Sequence, residues 1–190
     1  MFTRRQFLIG AGMVIGTGAS GAGLITLKRA SLPQLRPPGA LPPQEFLAAC
    51  IRCGQCVEAC PYDALHPATL AQGVAVGAPV VAPRESPCKL CQGYDELKCI
   101  IACPTPALQP VAEWRDIRMG AAVIHHDTCL AWQGTPCRAC WHACPFPNEA
   151  IELDERGRAI LIAEKCVGCG MCDHACITEP SSITIIPRSV

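Results

Sequence analysis

Aromatic side chains are scarce, at 5% of the 190 residues, and no stretch holds a helical hydrophobic period for long. A conventional interior of stacked aromatic and aliphatic layers is therefore not what fills this chain. No basic run marks a nucleic-acid surface, because 16 Lys and Arg balance 16 Asp and Glu for a formal net charge of +0. The glycines between residues 10 and 23 follow no strand, so they form no dinucleotide-binding fingerprint. Nor does any set of acid, base and nucleophile stand out, which argues against catalysis by this chain.

Cysteine is what the sequence has in excess, with 16 copies. They fall into four groups with none left over: Cys50, Cys53, Cys56 and Cys60; Cys88, Cys91, Cys99 and Cys103; Cys129, Cys137, Cys140 and Cys144; Cys166, Cys169, Cys172 and Cys176. Every group ends in C-x3-C. Pro61, Pro104 and Pro145 follow the first three endings, whereas Ile177 follows the fourth. The first and fourth groups are uninterrupted C-x2-C-x2-C-x3-C runs, and the middle two open one gap to seven residues, after Cys91 and after Cys129. These are repeats with insertions.

Three binders compete for such repeats. Disulfides between neighbours three residues apart would close loops too small to constrain the unfolded chain. Zinc takes two short pairs separated by a long loop, not three sulfurs in succession. A [4Fe-4S] cubane fits better: sulfurs at every third residue wrap three irons, and the fourth cysteine, one helical turn on, reaches the other cluster of a pair. The trailing proline then turns the chain away.

Ahead of these groups stands TRRQFLIGAG, residues 3–12. Arg4 and Arg5, followed by Phe7 and Leu8, match a twin-arginine export signal, with Ile9 where a lysine is usual. That route carries folded, cofactor-loaded proteins, which removes the conflict between an exported chain and cytoplasmically assembled clusters. An ordinary hydrophobic anchor that begins with two arginines is the other reading, and both leave the N-terminus in the cytoplasm. Residues 8–27 are free of charge and long enough to span a bilayer, so the segment is either retained as an anchor or cleaved near Ala19 or Ala22. Residues 31–45, with five prolines, read as an extended linker to a folded body at 46–190.

Within the body, strand-like runs occur at 73–83, 120–126, 158–164 and 182–187, and short helices are predicted between the third and fourth cysteines of each group. The fold class is α+β, in duplicated bacterial ferredoxin-like units. Apoprotein is expected to fold poorly, since cluster binding is part of the folding free energy. His125 and His126 point to opposite faces of a strand in structural roles. His142 and His174 lie between cluster cysteines, where packing is the plainer role and a hydrogen bond to sulfur the alternative. Trp114, Trp132 and Trp141 read as lids over the clusters. Four oxidised clusters at about −2 each would bring the loaded chain near −8, suiting a partner with a positive docking face.

The order of TRRQFL, CIRCGQCVEACPYDAL, GAPVVAPRESPCKLC, ACPTPAL, MGAAVI, CLAWQGTPCRACWHACP and CVGCGMCDHAC resembles the NapG/MauM family of ferredoxin-type proteins over essentially the whole chain. The resemblance implies an exported carrier of four [4Fe-4S] clusters, ligated by all sixteen cysteines, without catalytic residues. Its implied partners are a polytopic membrane iron-sulfur quinol dehydrogenase subunit of the NapH/MauN type and a periplasmic cytochrome c or reductase, in nitrate reductase or methylamine dehydrogenase systems. The implied location is the periplasm. Likeness to iron-sulfur subunits of molybdenum enzymes, together with the shared spacings, predicts that group one shares ligands with group four and group two with group three. Two function classes follow: an electron-transfer subunit, or a maturation or protective factor for a periplasmic redox enzyme.

Overall fold

The computed structural model describes residues 34–188. Arg4, Arg5 and the apolar run 8–27 lie outside the described residues, and among the described ones no helix is long and apolar enough to cross a membrane.

The architecture is α+β, made of short pieces. Helix α1 (Pro43–Ala49) precedes the first cysteine group, and α2 (Gln55–Glu58), α3 (Lys98–Ile101), α4 (Ala139–Ala143) and α5 (Met171–His174) each sit at the third cysteine of a group, as predicted. Three antiparallel pairs make up the sheets: β1 (Leu65–Pro67) with β2 (Pro79–Val81), β3 (Gly120–Ile124) with β6 (Ile183–Pro187), and β4 (Ile151–Leu153) with β5 (Ala159–Leu161). The apolar run at 73–83 is only partly strand. Residues Leu70–Ala75 form a 3₁₀ turn boxed at its start by Thr69 and Gln72, and pairing begins at Pro79.

The element order repeats. Hairpin β1–β2 lies between the first and second cysteine groups, and hairpin β4–β5 lies between the third and fourth. In the second half, β3 before group three pairs with β6 after group four in the register Ala122↔Ile185. The first half closes the same way with a single bridge, Ala40↔Leu108, where Leu41 N donates to Ala107 O at 3.1 Å and Gln109 N to Gly39 O at 2.7 Å.

That closure corrects the reading of 31–45 as an extended linker. From residue 34 onward this stretch is part of the body: Leu35, Pro37 and Pro38 are buried, and Leu35 O accepts from Val81 N at 2.8 Å. Prolines suit such a position because they fill apolar space without presenting an N–H that burial would leave unpaired. The interior otherwise departs from a conventional core in the expected way. Phe46, Ile117 and Ile151 are its largest fully buried hydrophobic side chains apart from those prolines, and eight cysteines are buried among them.

The β4–β5 turn shows how local sequence fixes a hairpin. Asp154 Oδ1 accepts from the amides of Arg156 (3.0 Å) and Arg158 (2.8 Å), Oδ2 accepts from Arg158 Nε (2.7 Å), and Gly157 takes the positive φ the turn needs. The backbone N–H of Arg158 above all, with its guanidinium, holds the Asp154 carboxyl below its ordinary pKa.

Candidate iron-sulfur centres

All sixteen cysteines are free thiols, so no disulfide framework organises the body. They converge in four sets of four. Site I is a small cavity lined by Cys50, Cys53, Cys56 and Cys103, with Phe46 and Ile51 in its wall. Site II gathers Cys88, Cys91 and Cys99 with Cys60: charge on Cys60 disfavours ionisation of all three, and Cys56, one helical turn away, also reaches Cys99. Cys166, Cys169 and Cys172 are joined by Cys144 in site III, where charge on Cys144 disfavours ionisation of Cys169 and Cys172, and Cys140 also reaches Cys172. Site IV is a small cavity lined by Cys129, Cys137, Cys140 and Cys176, with Ile177 and Thr178 beside them.

These sets correct the predicted pairing. Groups one and two exchange their fourth cysteines, as do groups three and four; groups one and four, or two and three, do not. The cause is packing: α2 lies against α3, and α4 against α5. The seven-residue gaps had suggested kinship between groups two and three, yet they fall in different loops, 91–99 and 129–137, and leave both helices where an ungapped group has them.

Burial dominates the electrostatics. It pushes the thiols of Cys56 and Cys140 up to about 11 and those of Cys88 and Cys169 up to about 12, and it raises Cys91, Cys99, Cys144 and Cys172 as well. Such sites hold neutral thiols until a cation compensates the buried charge. Among the described residues, no three or more His, Cys, Asp or Glu converge tightly enough for a single metal ion. A cubane asks instead for four thiolates on a wider frame, and sites I and IV, each lined by four cysteines, offer that arrangement.

Backbone and hydroxyl donors reach several sulfurs. Ala64 N donates to Cys60 Sγ and Lys98 N to Cys91 Sγ, both at 3.4 Å. At site IV, Thr178 Oγ1 lies 3.1 Å from Cys176 Sγ while accepting from Ser182 N at 2.9 Å, and Ser182 is buried. Burial opposes ionisation of Cys176, but hydrogen bonds from Thr178, Ser182 and Ser181 outweigh it and lower this thiol's pKa.

Four of the five histidines take structural roles. His125 Nε2 meets Thr184 Oγ1 at 2.9 Å, and His126 stacks on Trp132 at 3.7 Å. His142 lies edge-on to Trp141, and His174 turns Nδ1 to the carbonyl of Arg84 at 3.0 Å rather than to a sulfur. Trp141 and Trp114, half-buried, pack on the core, as a lid requires. Trp132, also half-buried, lies between His126 and the Arg158 guanidinium and donates its indole N–H to Ala159 O at 3.3 Å. Thr178, Arg84 and the glycines of 168–170 escaped the sequence reading; a C-x-T echo after Cys103 and Cys176 was the one available signal for the threonine.

Four sets of four thiols, carried on repeated helix turns and exchanged between neighbouring groups, define an iron-sulfur electron carrier of the ferredoxin type. Comparison with known proteins agrees. The 4Fe-4S binding domain family matches residues 46–66. The chain is 41% identical over 169 residues to the methylamine utilization ferredoxin-type protein MauM of Methylorubrum extorquens, covering 85% of this chain and 76% of that one. Against MauM of Paracoccus denitrificans it is 39% identical over 200 residues, covering 99% and 89%. Against the ferredoxin-type protein NapG of Escherichia coli it is 40% identical over 172 residues, covering 85% and 74%. The chain belongs to the NapG/MauM family of ferredoxin-type proteins.

Proposed function

We propose that the sixteen cysteines hold four [4Fe-4S] clusters and that the chain passes electrons from a quinol-oxidising membrane partner to a periplasmic redox enzyme, of the nitrate reductase or methylamine dehydrogenase type. The observation that carries this reading is the set of four cysteine sites in one small body, unaccompanied by any acid, base and nucleophile grouping among the described residues. Each bound cluster supplies reversible one-electron chemistry. The chain's part is to supply thiolates, to exclude water with Phe46, Trp114 and Trp141, and to present N–H and O–H donors to the sulfurs. Quinol gives up two electrons and two protons, whereas a cluster takes one electron at a time; quinol oxidation therefore belongs to the partner.

The protein is exported folded by the twin-arginine route and works at the outer face of the inner membrane, held there by residues 8–27 where these are retained. Replacing Arg4 and Arg5 by lysine leaves loaded protein in the cytoplasm; loaded variant in the periplasm would contradict this. For function, the isolated loaded chain is mixed anaerobically with quinol, with and without the membrane partner. The expected result is no reduction alone and full bleaching with the partner. Quinol oxidation by the chain alone would overturn the assignment, and unchanged respiratory flux in a deletion strain would favour a maturation role.

A further inference from the structure

The halves meet where site II faces site III. The amide of Cys88 donates to the carbonyl of Cys169 at 3.0 Å. From sulfur to sulfur this path is two side chains, a short piece of backbone and one hydrogen bond. Two glycines draw the loop of Cys169 into that position. A Cβ on Gly168 would lie 2.2 Å from Gly120 N, and one on Gly170 would lie 2.4 Å from Pro83 Cβ. Arg84, next to Pro83, crosses the same boundary and donates to the carbonyls of Asp173 (2.8 Å), Cys176 (2.7 Å) and Thr178 (3.0 Å). Within each half, one helical turn joins two sites: Cys56 and Cys60 link I with II, and Cys172 and Cys176 link III with IV. The sites therefore run in the order I, II, III, IV.

We propose that the Cys88–Cys169 contact is the electron junction between the halves, and that Gly170, seated on Pro83, is the positioning residue that sets its closeness. The inference rests on the reading of the cysteines as cluster ligands. One electron leaves the reduced cluster at site II and enters the oxidised cluster at site III; no bond changes, no proton moves and no further reactant is consumed. Tunnelling falls steeply with separation, so the loop need only retreat slightly for exchange to slow.

Gly73 provides the control. Like Gly170 it has positive φ (+60° against +83°), but a Cβ there meets nothing within 4 Å and it lines neither cysteine cavity. The test is pulse reduction of the full loaded chain by less than one electron, following redistribution optically, with iron content measured on every sample. Wild type should equilibrate in one fast phase. Gly170→Ala should keep its iron yet show a second, slower phase, Gly73→Ala should match wild type, and Pro83→Gly in the Gly170→Ala background should restore the fast phase. Two slowly exchanging populations in iron-replete wild type, or an unslowed iron-replete Gly170→Ala, would overturn the junction while leaving the cluster reading intact. Should Gly170→Ala lose iron, the wild-type trace decides alone. Iron-poor wild type would refute both.

Discussion

Thr178 is the residue through which the chain most plainly tunes a centre. Its hydroxyl faces Cys176 Sγ and is fixed by the buried amide of Ser182. A donor to sulfur stabilises the more negative, reduced state, so removing it lowers the potential. A hydrogen bond to a charged group is worth about 1.5–3 kcal/mol, and if half of it distinguishes the two redox states, Thr178→Val lowers the site IV potential by roughly 30–60 mV. Redox titration followed by paramagnetic resonance reads this; an unchanged or raised potential would contradict it. The four cysteine groups were legible in the sequence because their spacing is regular. Thr178 and Arg84 were not, because a hydroxyl or guanidinium gains its role only from what folding brings beside it, here from 94 residues away in the case of Arg84 and Thr178.

Thiol burial makes a pH prediction with a definite sign. In the metal-free fold Cys56, Cys88, Cys140 and Cys169 stay protonated up to about 11 or 12. An unfolded cysteine ionises near about 8.5. Above that value the unfolded chain binds fewer protons than the folded one, and metal-free stability falls as pH rises. Whatever near-ultraviolet circular dichroism the poorly folded stripped protein retains should weaken further above about pH 8.5, whereas loaded protein, with its thiolates already compensated, should hold through the same range. Tertiary signal that grows in the stripped chain with rising pH would contradict the account.

At the scale of elements, each cysteine helix serves two centres, and the exchange of fourth ligands between neighbouring groups is directly testable. Cys60→Ala should remove the same spectroscopic signal as Cys91→Ala, and Cys103→Ala the same signal as Cys53→Ala. If Cys60→Ala instead copied Cys169→Ala, groups one and four would be partners and the packing of α2 on α3 would have been misread. All four cysteine helices were legible, since C-x3-C followed by a chain turn describes one helical turn. Ligand exchange was not, because spacing records loop length and says nothing of which helices pack. Strands β1 and β4, at three residues each, carry too little alternation to be seen. The bridge at Ala40 was hidden for a different reason: five prolines imitate a spacer, although Pro37 and Pro38 are among the most buried residues of the body.

For the whole molecule, the poverty in aromatics and the wealth in cysteine go together: the interior is a small apolar core with eight buried cysteines, and under the proposed function four clusters would share it. The two end sites, I and IV, each carry an isoleucine in the wall, Ile51 at 64% and Ile177 at 68% exposure, so the centres nearest to solvent lie behind apolar side chains rather than polar ones. Arg115–Glu149 and Arg84–Glu179 are ion pairs at the surface and contribute little beside this. The claim on which the rest depends is that every cysteine is a cluster ligand. Anaerobically purified full-length protein should contain about sixteen irons and sixteen acid-labile sulfides per chain, with brown visible absorbance and negligible zinc. A colourless chain holding one or more equivalents of zinc would contradict it.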